Sequence, residues 1–158
     1  MKKINYIFIV LMIFILNGCS TKIQNIKSTI EKPTNILLNL RNDPGSLEEE
    51  WRLEFEKRGF NVFLSDELNK YSLTNKFDNL DISQNNIILD KDINYEIRLI
   101  YHYSWDMFWY ISKIVISVRD LKAGKIVGSY ADDYTFRHPS VSQVMNMLEN
   151  DFFNKLWR

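Results

Sequence analysis

The chain has 158 residues, with 20 Lys and Arg against 20 Asp and Glu, and a single cysteine. That length suits one domain behind any leader. The balanced charge offers no basic excess for nucleic acid and no polybasic cluster for anionic headgroups, and one cysteine excludes an internal disulfide.

In chain order, the first segment is MKK followed by an apolar run from Ile4 to Leu16, in which Asn5 is the strongly polar exception. The run has the length of a secretory leader's apolar core and is shorter than the ~20 apolar residues of a membrane span. Leu16-Asn17-Gly18-Cys19 follows at once. This order of an aliphatic, a tolerant position, a small residue and cysteine resembles the bacterial lipobox, although Asn17 is less usual there than Ala or Ser. The resemblance implies cleavage between Gly18 and Cys19, a diacylglycerol on the Cys19 thiol and an acyl group on its new amino end. Several acyl chains on one residue make a stable anchor, each buried CH₂ contributing ~0.8 kcal/mol. Ser20 stands where an Asp commonly retains such proteins at the inner membrane, so the expected location is the outer membrane, periplasmic face. Residues 1–18 are then a signal peptide, 19–34 a polar lipid-anchored tether, and 35–158 a single domain. Loss of Lys2 and Lys3 leaves that mature part slightly acidic.

Asn35–Leu40, NILLNL, reads as a first strand, and Asn42-Asp43-Pro44-Gly45 as a turn. Ser46-Leu47-Glu48-Glu49 has capping-box form, a Ser with Glu three residues on. Leu47, Trp51 and Phe55 fall on one helical face. Lys57 and Arg58 suit the last turn, and Gly59 is the stop. Phe60–Leu64 reads as a second strand. Residues 65–94 are a polar excursion rich in Asn, Asp, Ser and Lys. From Tyr95 the chain alternates: Tyr95, Ile97, Leu99, Tyr101, Tyr103 and Trp105 share one face of a half-buried strand. A second strand, Met107–Arg119, begins apolar on both faces. A turn at Leu121–Lys125, with Gly124 free to take positive φ, leads to a third, Ile126–Tyr134. His138-Pro139-Ser140 opens a closing helix with Val141, Val144, Met145, Leu148, Phe152 and Leu156 on one face, widened by Phe153 and Trp157. The predicted fold class is α+β, ordered β-α-β-(long loop)-β-β-β-α, with an antiparallel or mixed sheet and helices packed on one face. The other face is left open.

The residues that carry chemistry are sparse. His102 and His138 are the only histidines, in no metal-binding pattern, and lipidation would use the one thiol. Asp132 and Asp133 are adjacent in a strand, so they point to opposite faces. No phosphate loop or nucleophile elbow is present. The expectation is that the protein is not an enzyme and has no metal or cofactor beyond the lipid on Cys19. Asp106 interrupts an aromatic stretch: it reads either as a turn or bulge residue between two strands or as a carboxylate that needs a partner, with Arg98, Lys113 or Arg119 as candidates across the strands. Trp105, Asp106, Trp109 and Tyr110 are the candidate contact residues, since an open sheet face would leave them as an apolar patch.

Beyond the lipobox, the NILLNL strand, the EKRGFNV hinge, YHYSWDMFWYISKIVISV and GKIVGSY resemble a group of small, uncharacterised proteobacterial lipoproteins. The features that carry this are Trp105, Asp106 and Tyr110, and a hairpin with Gly124, Val127, Gly128 and Tyr130. The match spans most of residues 35–157 and omits 65–94. The chain departs from it in its Asn-rich loop and in lacking the further cysteines that some members pair. The resemblance implies the anchor and the fold and supplies no reaction. The expected function is an outer-membrane lipoprotein whose domain faces the periplasm and binds an envelope protein as an accessory. The alternative is a binder of a small apolar or cell-wall-derived ligand held between sheet and helices.

Overall fold

The computed structural model describes residues 22–68, 88, 90–134 and 137–158. Gly18 and Cys19 lie outside these residues, as does most of the 65–94 excursion. The described elements are β1 (Ile23–Ile26), β2 (Asn35–Leu40), α1 (Glu48–Glu56), β3 (Asn61–Leu64), β4 (Tyr95–Asp106), β5 (Phe108–Asp120), β6 (Lys125–Asp133), α2 (Val141–Leu148), a π-helical turn (Glu149–Phe153) and α3 (Asn154–Leu156). The six strands form one mixed sheet in the order β1-β6-β5-β4-β2-β3. β2 runs parallel to both β3 and β4, and every other pairing is antiparallel. The class is α+β.

β4 and β5 are the long central pair. Ile97, Leu99 and Tyr101 alternate inward on β4, and Ile114, Ile116 and Val118 do so on β5. Against this face pack Trp51 and Phe55 of α1, Val144, Met145 and Leu148 of α2, and Phe152 and Leu156 beyond it. Burying such side chains contributes about 1.5–3 kcal/mol each. The π-helical turn explains how the closing helix buries neighbours: its extra residue rotates the face so that Phe152 and Phe153 both point inward. Gly128 sits beneath this helix, where a Cβ would stand 3.1 Å from Phe152 and Leu156. On the opposite face a second, smaller cluster joins Leu37, Leu68 and Ile93 with Phe63, Ile88 and Leu121.

Two local readings change. Residues 23–26, expected in the tether, form β1, an edge strand paired with β6 from Ile23↔Ala131 to Ile26↔Gly128. Its stability comes from ladder hydrogen bonds more than from apolar burial, since Ile23 is 67% exposed. The cap of α1 also differs. Ser46 has φ 52 and does not cap; the Asp43 carboxylate accepts from the backbone N–H of Leu47 (2.9 Å) and Glu48 (3.1 Å). A carboxylate offers two acceptors to the orphan donors where a hydroxyl offers one fewer anchor and no charge. A true capping box is found instead at Ser140 and Gln143. At the other end of α1, Gly59 takes φ 86, the left-handed stop expected there.

α1 and α2 are tied through Arg58. Its guanidinium donates to Glu54 (2.7 Å), to Glu149 (3.0 Å) and to Asn146. Glu54 is buried at 6% exposure and also accepts from Lys57 at 2.7 Å. The Lys57 bond foremost, then the Arg58 bond, hold its pKa below the ordinary carboxylate value against the opposing effect of burial. A depressed folded-state pKa contributes stability above the unfolded value and loses it as pH falls through the folded one. Glu54→Gln should therefore lower stability by roughly 1–3 kcal/mol at neutral pH. The gap from wild type should close as the pH is lowered through and below the ordinary carboxylate pKa. Denaturant melts of both proteins across that range check the sign; a gap that stays constant with pH would refute the charge-based account.

Candidate functional site

The middle of the sheet outgrows its neighbours at one end. β4 pairs with β2 only from Tyr95 to Leu99, and β5 pairs with β6 only from Lys113 onward. Beyond these limits the two strands continue as a ribbon to Asp106 and Phe108, joined by Met107 at φ 59. Four residue steps from His102 to Asp106 at the usual strand rise carry the tip ~13 Å past the rest of the sheet. Ile111 and Ser112 are braced on one side by Pro139 and Tyr134 of the following loop.

The ribbon carries an aromatic ladder on the helix side. Trp51 in the core meets Tyr101 at 6.0 Å, Tyr101 meets Tyr103 edge-on at 6.3 Å, Tyr103 stacks on Trp109 at 5.3 Å and 13°, and Trp109 meets Trp105 at 5.3 Å. Each such pair is worth ~0.5–1.5 kcal/mol beyond its burial. The base of the ladder is fixed: the Tyr101 hydroxyl donates to Asp43, the same carboxylate that caps α1. Burial foremost, then this bond, raises the Tyr101 pKa well above the ordinary phenol value, so it stays a protonated donor. The outer end is open. Trp105 is 60% exposed, Met107 83%, Phe108 51% and Trp109 59%.

The predicted contact residues divide between the two faces. Trp105 and Trp109 pair directly across the ribbon on the ladder side. Tyr110 is on the other face and is buried beneath His138, ring to ring at 4.2 Å, so it does not belong to the exposed patch. Asp106 is exposed at the tip. The imidazole of His138 stands 3.9 Å from its carboxylate, whereas Arg98 pairs with Glu96. His138 has φ 46, which turns the ring back over Tyr110 and Phe108. Of the expected second strand, Met107–Arg119, Met107 alone differs: it forms the turn, at φ 59, and the strand starts at Phe108.

Neither described cavity involves this hairpin. One of 380 Å³ lies at the opposite end of β4 and β5, with Glu31, Asp92, Tyr95, Asp120 and Lys122 among its walls. The other, of 220 Å³, lies between Arg58, Phe60, Phe153 and Trp157. Among the described residues no cluster of His, Cys, Asp and Glu is placed to hold a metal ion, and no helix is long and apolar enough to cross a membrane.

No protein-family model matches the chain. No curated protein matches it either. Solved structures do, among them PelC from Paraburkholderia phytofirmans and a point variant of it, each a dodecamer. Each has a TM-score of 0.50 and covers 88% of this chain and 99% of its own, at 11% identity for PelC and 10% for the variant. The chain is similar in fold to PelC. At that identity the likeness concerns backbone architecture alone.

The two ends of the aromatic ladder should respond differently to truncation. Trp51→Ala removes a fully buried ring and should cost about 3–5 kcal/mol. Trp105→Ala removes an exposed ring with one ring contact and should cost about 1 kcal/mol or less; Trp109→Ala removes an exposed ring with two and should cost about 2 kcal/mol or less. Thermal melts of the three variants separate these cases; unfolding by Trp109→Ala would show the ridge to be core.

Proposed function

We propose that the chain is a lipoprotein of the bacterial outer membrane, acylated on Cys19 after cleavage behind Gly18, and that its domain faces the periplasm. In this reading it is not an enzyme but an accessory of the cell envelope that works by binding protein. The lipobox and the resemblance to small proteobacterial lipoproteins support the anchor. The observation that carries contact with an outside surface, rather than enclosure of a ligand, is the exposed tip of Trp105, Met107, Phe108 and Trp109, held on a ribbon clear of both cavities. Large apolar side chains exposed together on both faces of one projecting tip mark contact with a surface rather than enclosure of a small molecule. Structures of the same fold are dodecamers, which supports assembly, with like or unlike subunits, as the form the protein binding takes.

The alternative, a small apolar or cell-wall-derived ligand, finds less support. The larger cavity is walled chiefly by polar side chains, and the 220 Å³ one falls below the roughly 300–1,000 Å³ of ordinary ligand pockets.

Two measurements test the reading separately. Cys19→Ser should remain unprocessed and take up no labelled fatty acid; a mature, membrane-bound species from this variant would remove the anchor. Crosslinking of the wild-type protein in intact cells should give one discrete larger species, containing further copies or one envelope protein. A chain that stays monomeric at every crosslinker concentration would remove the accessory role and return attention to small ligands.

A further inference from the structure

We propose that the β4–β5 hairpin tip is an interfacial membrane anchor, and that Trp105, Met107, Phe108 and Trp109 enter the lipid surface beside the acylated N-terminus. The proposal rests on the Cys19 anchor above and names what the exposed ridge meets.

The argument is one of direction and length. β6 runs toward the hairpin end of the sheet, because its last residue, Asp133, pairs with Lys113, the β5 partner nearest the tip. β1 runs antiparallel to β6, with Ile23 opposite Ala131 and Ile26 opposite Gly128. The chain therefore leaves β1, toward lower residue numbers, at the end from which the hairpin projects. Ile23 is level with Val115 through Ala131. From that level the ribbon extends about six residue steps to Asp106 and Phe108, ~20 Å at the usual strand rise. Four residue steps lead from Cys19 to Ile23. They span at most ~14 Å when fully extended. A bilayer close enough to receive acyl chains on Cys19 is therefore within reach of the hairpin tip. The difference, ~6 Å, is about the depth of one headgroup layer. A tip longer than its own leash meets the lipid before the rest of the domain does.

The chemistry of the tip agrees with that depth. Tryptophans with polar N–H groups and apolar rings concentrate at membrane interfaces, and apolar side chains set 5–10 Å deep are the rule for elements lying on a bilayer. Met107 and Phe108 supply the apolar point, and Trp105 and Trp109 form the collar behind it. Asp106 is level with Phe108 at the turn, one step beyond the tryptophans, and is exposed near His138; a carboxylate there keeps the insertion shallow, at headgroup depth where it stays hydrated. The ribbon's own backbone groups are paired strand to strand up to Asp106 and Phe108, so insertion strands few of them in apolar surroundings. The two other tryptophans lie elsewhere. Trp51 is fully buried, and Trp157 packs on Phe60, just before β3, at the opposite end of the parallel β2–β3–β4 group. Attached in this way the domain has a fixed orientation: two contacts at one end of the sheet hold its long axis away from the bilayer, and the remaining surface is free for protein.

The test uses the full-length lipidated protein in vesicles of phosphatidylethanolamine and phosphatidylglycerol, with and without bromine on the acyl chains. Bromine quenches only tryptophans in contact with lipid. Flotation with the vesicles reports the anchor, and quenching reports the tip. Brominated lipid should reduce the emission by about half, two of the four tryptophans being interfacial. Trp105→Phe with Trp109→Phe, a pair that keeps the rings and the fold, should float equally well and show no quenching. Flotation of the wild type without quenching overturns the proposal, leaves the anchor standing, and assigns the ridge to a protein contact. Failure to float overturns the anchor and the proposal together, and fatty-acid labelling of Cys19 then shows which step failed.

Discussion

The pairing of β4 with β5 is the constraint on which the rest depends. These two strands lie at the centre of the sheet, and the register from Tyr95↔Asp120 to Asp106↔Phe108 sets both the face that receives the helices and the direction of the tip. One irregularity decides the outcome. Between His102 and Tyr103 the register shifts, and β5 carries an extra residue at Ser112. Without it, Ile111 and Trp109 would turn to the opposite face, because side chains alternate with a period of two. With it, Trp109 meets Trp105 and Tyr103, and the aromatic ladder continues without a break from the core to the tip.

The ladder is also where the helical layer and the sheet are joined by polar groups. Asp43 serves two elements at once, closing the N-terminus of α1 and accepting from Tyr101. Trp51 in α1 packs against that same Tyr101. The exposed ribbon is therefore an extension of the best-fixed part of the molecule. A surface presented in this way loses little conformational entropy on contact, which favours a rigid docking element over an adaptable loop.

Much of this was legible in the residues. The alternation in β4 declared its inward face correctly because one side of that strand is solvated for most of its length, so polar residues mark it. The helical stripe of Leu47, Trp51 and Phe55 was equally plain. The readings that changed share a cause: local chemistry could be satisfied in more than one way. Ser46 fits a capping box by pattern, yet Asp43 lies within reach once Pro44 and Gly45 turn the chain. The β1 segment has too little apolar content to look like a strand, since its contribution is backbone pairing along an edge. Tyr110 was grouped with Trp109 because Met107 to Ile111 is apolar at every position, and a run without polar residues carries no phase. The turn at Met107 is marked only by the neighbouring Asp106, and the bulge at Ser112 has no sequence mark. Both exist because pairing with β4 requires them.

The arrangement gives the sheet two unlike ends. At one, the chain enters through β1 and the hairpin projects its aromatic tip; at the other, Glu31, Asp92, Asp120 and Lys122 surround Tyr95 in a polar recess. For a domain free in solution, such polarity has no evident use, and an exposed pair of tryptophans is a liability for association. For a domain fixed to a surface by its N-terminus, the same polarity is functional. The end nearest the anchor experiences an interface where aromatic rings are stabilised, and the far end remains in water where carboxylates belong. The shortness of the segment between Cys19 and β1 then matters as much as any side chain. A long leash would let the domain tumble and average over every orientation, whereas three intervening residues hold it where the hairpin, by its length, reaches the same plane. On the proposed reading the extra reach of β4 and β5 beyond their neighbours is therefore matched to the leash, and the two together turn a lipid attachment, which alone fixes position, into one that also fixes orientation.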